Sequence, residues 1–316
     1  MPLRFTLRQL EYLVAVAETG SIAAASDRVN VSSPSISSAI VQLEEEFGLP
    51  LFVRKHAHGL SLTHGGALFA QQARVVLADS AKLNELANDI TGKVRGPLRV
   101  GCLLTFAQVV LPQLRRQFVD LHSDVEFRQT EGNQVELFEG LRKAEIDVAL
   151  TYDLNLPSDL EFIELVSLPP YAVMAADHVL AKLKMVSPIE LVEHPMVLLD
   201  LPWSNSYFLS VFSITGREPK IVERTRDIAV MRSLVANSFG YSVANIRPTT
   251  DRAPDGKKLC YVPISGHVRP MKMGLLLSEG AMASLTIRCF VEHCQSKVTE
   301  GSMPGLKMQI EDESHT

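Results

Sequence analysis

Two groups of residues in this 316-residue chain have types and spacings that could do chemistry. The first lies in the run SPSISSAIVQLEEEF. There Ile36, Ile40, Leu43 and Phe47 form one apolar helix stripe by the i, i+4, i+7, i+11 rule. Pro34, Ser37, Ser38, Val41 and Gln42 fall on the other side. A small, uncharged, polar outer face of this kind fits a DNA major groove, and the helix N-terminus can meet a phosphate through free N–H groups. Arg54 and Lys55 follow in a basic, glycine-bearing tip, where cations would contact phosphates or the minor groove. The second group is Thr105, Asn133, Tyr152, Ser204, Asn205 and Ser242. The first five stand at or just past the ends of strand-like runs, and Ser242 lies beyond Phe239-Gly240. Hydroxyls, amides and free helix N–H groups gathered there suit a carboxylate or another small anion. The same residue types also serve as plain N-caps.

The elements that must position the first group read as short helices with tight punctuation. Leu7, Leu10, Leu13, Val14 and Ala17 recur at helical spacing; Gly20 ends that helix and Ser21 caps the next. Ala23, Ala24 and Ala25 are small enough for close helix crossing, and Asn30 makes a short turn. Ser32 caps the third helix, Val31 and Ile36 form a hydrophobic staple, and Pro34 falls in the first turn, where its missing N–H costs little. Leu51-Phe52-Val53 and Leu60-Ser61-Leu62-Thr63 flank the basic tip as a hairpin wing. Residues 1–63 hold five Lys or Arg against six Asp or Glu, a net charge of −1. Pattern alone therefore leaves open a DNA reader and a purely structural module.

Residues 64–92 read as one long helix that Gly92 and Gly96-Pro97 break. Phe69, Val76, Leu83 and Ile90 lie seven apart, with Ala73, Ser80 and Ala87 four after each of the first three. That is an a/d seam suited to dimerisation; the alternative is an amphipathic helix packed on its own domain. From Leu98 the strand-like runs Leu98–Leu104, Val125–Thr130 and Ile146–Thr151 alternate with helical runs Phe106–Val119 and Val135–Lys143, which argues for an α/β domain with parallel strands. Two lobes can be drawn, with two crossings that make a hinged cleft. The expected boundaries are 1–63, 64–95 and 96–305, with lobe I at 96–165 and 266–300, lobe II at 166–265, and a tail at 306–316. Trp203, the only tryptophan, is a core or hinge residue or a stacking platform.

With 46% hydrophobic and 21% charged residues and a mean hydropathy of +0.11, the chain is no disordered polymer. It has no apolar run of about 18 residues that would cross a membrane, and Met1 to Glu11 lacks the apolar core of a secretory signal, so a cytoplasmic location is expected. A net charge of −5 neither demands nor excludes a nucleic-acid partner, because only a local basic surface is needed. Cys102, Cys260, Cys289 and Cys294 form no C-x-x-C and have no histidine cluster, so reduced thiols are expected, with no metal and no cofactor. G-x-S-x-G, H-E-x-x-H and P-loop motifs are absent, which leaves an enzyme, like a transport-type solute-binding protein, a weaker alternative.

The run Leu7 to Gly66 resembles the winged helix-turn-helix of LysR-type transcriptional regulators. The match rests on Leu10-Glu11-Tyr12, Val16 to Ser21, Ala24-Ala25, Val31 to Ser37, Ile40, Leu43-Glu44, Phe47-Gly48, Leu51-Phe52, Arg54, Leu62-Thr63 and Gly66. The resemblance implies DNA contacts at Ser33, Pro34, Ser37, Ser38 and Arg54. It also implies a long helix pairing two subunits, a homodimer or homotetramer on double-stranded DNA, and a type 2 periplasmic-binding-protein-like domain that takes a small-molecule effector. The expected fold is thus an all-α winged head and linker helix followed by a two-lobed α/β domain. The family usually has Gln where Ser33 stands and often Arg where Ser38 stands. Serine is shorter and reads bases ambiguously, which shifts specificity toward DNA shape and the wing.

Overall fold

A computed structural model describes residues 4–55, 59–266, 268–299, 303 and 306. The chain divides after Thr91 into two compact units.

In the first unit, α1 (Leu7–Thr19) opens with a capping box: Gln9 N donates to Thr6 Oγ1 at 3.3 Å and Thr6 N to Gln9 Oε1 at 2.8 Å. Gly20 ends it at φ 66°, and Asn30 ends α2 (Ile22–Val29) at φ 51°. Ser32 caps α3 (Ser33–Phe47). Leu10, Leu13, Val16, Ala25, Ile36, Ile40, Leu43 and Leu51 are buried together in one core. Phe47 departs from the expected stripe. It is 41% exposed and packs instead at a tilt on Phe5 and edge-to-face on Phe69, at 5.4 and 4.7 Å between ring centroids, because the last turn of α3 runs past the core.

The wing is an antiparallel pair, β1 (Phe52–Lys55) and β2 (Gly59–Leu62). Glu44 Oε1 accepts from Leu51 N at 2.7 Å and Phe52 N at 3.2 Å, which ties the wing to α3. Leu60 N donates to Gly20 O at 2.9 Å, and a Cβ on Gly59 would meet that oxygen at 2.7 Å, so this strand start needs glycine.

The long helix α4 (His64–Thr91) forms as one element. Its expected seam does not run open along its whole length. Ala73 is buried, and Phe69 and Val76 are half-buried against the head core, whereas Leu83 and Ile90 are 69% and 77% exposed. The own-domain alternative thus describes the proximal half. The distal half leaves apolar side chains uncovered.

In the second unit, β3 (Gly96–Leu103), β4 (Val125–Gly132) and β5 (Val148–Tyr152) are parallel. The helix expected over Phe106–Val119 is two helices, α5 (Leu104–Val109) and α6 (Leu111–Leu121). They break at Val110 because Pro112, in the first turn of α6, has no N–H to continue the ladder. α7 (Gln134–Arg142) follows β4. β6 (Leu160–Leu168) leads through Pro169-Pro170 into the second lobe, which holds β7 (Tyr171–Ala175), α8 (Pro188–Leu191), β8 (Pro195–Leu199), α9 (Ser204–Ser210), β9 (Lys220–Thr225), α10 (Ile228–Ala236), β10 (Ser242–Ala244) and β11 (Leu259–Pro263). The chain then returns through β12 (Met271–Ser278) and α11 (Leu285–Lys297).

The sheet orders are β4-β3-β5-β12-β6, β10-β7-β11 and β8-β9. The three strands for which parallel pairing is expected are parallel, but the sheets as a whole are mixed. β12 runs antiparallel to both β5 and β6, and β7 antiparallel to both β10 and β11. A chain that leaves one lobe and comes back enters the sheet from the opposite end.

Candidate functional site

On the head, α3 presents Pro34, Ser38, Val41 and Gln42 to solvent, with Ser33 and Ser37 half-buried beside them. Gln42 Oε1 accepts from Gln9 Nε2 at 2.8 Å. The helix carries no lysine or arginine. Elsewhere in the head, Arg28 and Arg74 both turn to Glu18, at 2.6 and 3.5 Å. Arg4 and Arg8 make no ion pair among the described residues. The backbone of Arg54 and Lys55 closes β1, while their side chains lie outside the described residues. Of the expected seam, Leu83 and Ile90 stand exposed on α4, and Phe69 and Val76 are engaged by the head.

In the second unit a cavity of about 220 Å³ lies between the lobes. The carboxyl ends of β3, β4 and β5 open onto it, as expected for parallel strands. Four of the six residues picked from the sequence line it: Thr105, Asn133, Tyr152 and Ser204. The Tyr152 phenol is buried, stays protonated because burial pushes its pKa well up, and its ring packs on Phe106 at 4.7 Å. Gln134 Nε2 donates to the backbone oxygens of Tyr152 and Leu154 at 2.9 and 3.1 Å, stitching the start of α7 to the end of β5.

Asn205 and Ser242 lie off the cavity lining. Asn205 Nδ2 donates to Asp200 Oδ1 at 2.8 Å, so its amide turns to its own lobe. Ser242 is fully buried in β10, and the next residues of that segment, Ala244, Asn245 and Ile246, reach the cavity instead.

Arg226, Glu131 and Asn245 also line the cavity, and sequence reasoning missed all three. Arg226 and Glu131 had a legible signal, a charge directly after a strand or at its end. Asn245 had none. Its Nδ2 donates to Leu168 O at 2.8 Å and to Tyr207 Oη at 2.9 Å, and Tyr207 in turn donates to Arg269 O at 2.8 Å. Leu168 and Arg269 sit on the two inter-lobe crossings, so one amide and one phenol clasp both. Burial pushes the Tyr207 phenol up to about 12.

Trp203 stacks on Phe138 of α7, and its own backbone sits at φ 61°, in the left-handed region that bulky residues avoid. Cys102 is buried beneath the cavity's first-lobe edge, and burial, helped by the Glu131 charge, pushes its thiol up to about 12. No group of residues that could hold a metal ion occurs among the described residues. No helix of the described residues is long and apolar enough to cross a membrane.

The family model described as bacterial regulatory helix-turn-helix protein, lysR family, matches residues 7–67, and that of the LysR substrate binding domain matches residues 91–299. The Hca operon transcriptional activator HcaR of Escherichia coli is 28% identical over 297 residues, 92% of this chain and 98% of its own. The transcriptional regulator CysB of Haemophilus influenzae is 27% identical over 244 residues, 75% and 74% of the two chains. The crystal structure of HinK, a LysR family transcriptional regulator from Pseudomonas aeruginosa, is 33% identical, covers 93% of this chain and 99% of its own, and superposes with a TM-score of 0.63. Winged head, long helix and two-lobed domain are accounted for together, and the chain belongs to the LysR family of bacterial helix-turn-helix transcriptional regulators.

Proposed function

We propose that this regulator reads double-stranded DNA with the exposed face of α3 and with Arg54 and Lys55 of the wing, and that a small anionic metabolite in the inter-lobe cavity modulates transcription. The observation that carries this is the cavity itself, framed by three strand ends of one lobe, closed by the other, and flanked by two clasped crossings. A ligand that fits one lobe arrangement better than another shifts the balance by its differential affinity alone. Catalysis has no part in that scheme. Exposed Leu83 and Ile90 support association through distal α4 into a homodimer or homotetramer, which would present two heads to a dyad operator. Such a regulator works in the cytoplasm.

The test is a salt-titrated gel shift of the full-length protein on the DNA upstream of its own gene, with unrelated DNA as competitor. The expected result is competitor-resistant binding over a dyad. Binding there, and to a genome-wide selected pool, no tighter than to unrelated DNA overturns sequence reading by this head.

A further inference from the structure

The charge inventory of the cavity narrows what it takes. Its walls are mostly apolar, from Leu103, Leu199, Leu201, Phe208, Ile228 and Ile246. Two of the helix starts at the cavity, those of α7 and α10, are filled from within the chain, while those of α5 and α9 have no side-chain cap. Asn133 Oδ1 accepts from Val135 N and Glu136 N at 2.9 and 3.2 Å, and Asp227 Oδ1 from Ala229 N and Val230 N at 2.7 and 3.1 Å. One cation remains. Arg226, between β9 and α10, lines the cavity from the second lobe and makes no ion pair among the described residues. Nearby Asp200 is held by Asn205 and Arg224, and the Arg226 charge also helps to keep its carboxyl below the usual range. From the first lobe, Glu131 contributes a carboxylate at the end of β4. The hydroxyls of Thr105 and Ser204 line the same cavity, and neither is hydrogen-bonded to another described residue.

We propose that the cleft takes a monocarboxylate with an apolar body, that Arg226 pairs with its carboxylate, and that Glu131 turns away ligands carrying a second negative charge. A planar guanidinium matches a carboxylate in a two-point grip, and a second carboxylate placed against Glu131, which stands exposed at the cavity rim and accepts from Gln129 Nε2 at 2.6 Å, meets a like charge. This rests on the cavity being the effector site.

The test uses the full-length protein and follows Trp203 emission and the melting temperature. The probes are hexanoate, phenylacetate and 3-phenylpropionate, the carboxamide of each, the diacid adipate, and phenylalanine. At least one monocarboxylate binds, its carboxamide binds at least about tenfold more weakly, and Arg226→Gln costs it roughly 10–100-fold while Arg226→Lys keeps part of the affinity. Glu131→Gln gains adipate binding, a gain that misfolding cannot produce. A carboxamide that binds equally, an unaffected R226Q, a wild-type preference for adipate or phenylalanine, or silence from all three monocarboxylates overturns the proposal. Ser204→Leu fills the cavity and separates the two claims. Binding lost in S204L, with the melting transition intact, but kept in R226Q removes the Arg226 anchor and leaves the cleft. Binding kept in S204L removes the cleft as the effector site.

Discussion

The indole of Trp203 lies on the ring of Phe138, with centroids 5.3 Å apart and planes 24° from parallel. Phe138 belongs to α7 on the first lobe and is buried; Trp203 precedes α9 on the second. The chain's only tryptophan therefore reports on contact between lobes. Its left-handed backbone costs on the order of 1–3 kcal/mol, which the stack helps to offset. Phe138→Leu is expected to move the emission to longer wavelength and to lower stability by on the order of 1 kcal/mol. An unchanged spectrum would show that the stack does not cover the indole in solution.

The clasp of Asn245 and Tyr207 should behave as one unit. Asn245→Ala strips the Leu168 carbonyl and the Tyr207 hydroxyl of a partner, at about 1–3 kcal/mol. Tyr207→Phe frees Arg269 O as well. The double variant should lose about 0.5 kcal/mol or more less than the sum of the singles in urea unfolding. Additive losses would mean that the two bonds act independently.

Distal α4 separates association from folding. Leu83→Asp and Ile90→Asp change exposed positions, so the melting of the isolated head should hold while sedimentation shifts toward monomer. Val76→Asp puts a charge against the head core and should cost several kcal/mol of head stability. Unchanged sedimentation of the Leu83 and Ile90 variants would place the association surface elsewhere.

At the DNA surface, Ser33→Ala with Ser38→Ala is expected to weaken operator binding and spare unrelated DNA, since hydroxyls read base edges and do not neutralise phosphates. With Arg28 and Arg74 paired to Glu18, the cations proposed to meet phosphates are Arg4 and Arg8, which make no ion pair among the described residues, and Arg54 and Lys55 of the wing. The slope of log K against log salt should then not exceed about −4 per head. A steeper slope in gel shifts would reveal cations from outside the head.

Burial holds Cys102 at about 12 and pushes Cys294 higher still. At pH 8 roughly one Cys102 in 10,000 is thiolate. Iodoacetamide should leave both unlabelled in the native protein and label them on unfolding. Rapid native labelling of Cys102 would show that the sheet edge opens.

The head was legible because its stops are chemical. Gly20, Asn30 and Gly48 end helices in the left-handed region that only such residues enter cheaply. Thr105, Asn133, Tyr152 and Ser204 were found because parallel strands deliver their ends to one edge. The antiparallel strands stayed hidden, since a buried β12 alternates no differently when reversed. The break at Val110 was marked by Pro112 but masked by apolar residues on both sides. Asn245 and Leu168 are 77 positions apart, a contact that only the closed fold creates. Asn205 was misplaced because its amide had a nearer partner, Asp200, that no spacing rule points to.

Glu18 holds two arginines at once, and this bears on how the protein searches a chromosome. Grip on arbitrary DNA comes almost wholly from phosphate neutralisation, and random sites outnumber a true operator by a millionfold or more. A head that ties half its described arginines to one surface carboxylate dwells briefly at each wrong site. Fewer molecules are then sequestered along the genome, and a small cellular pool suffices to keep the operator occupied.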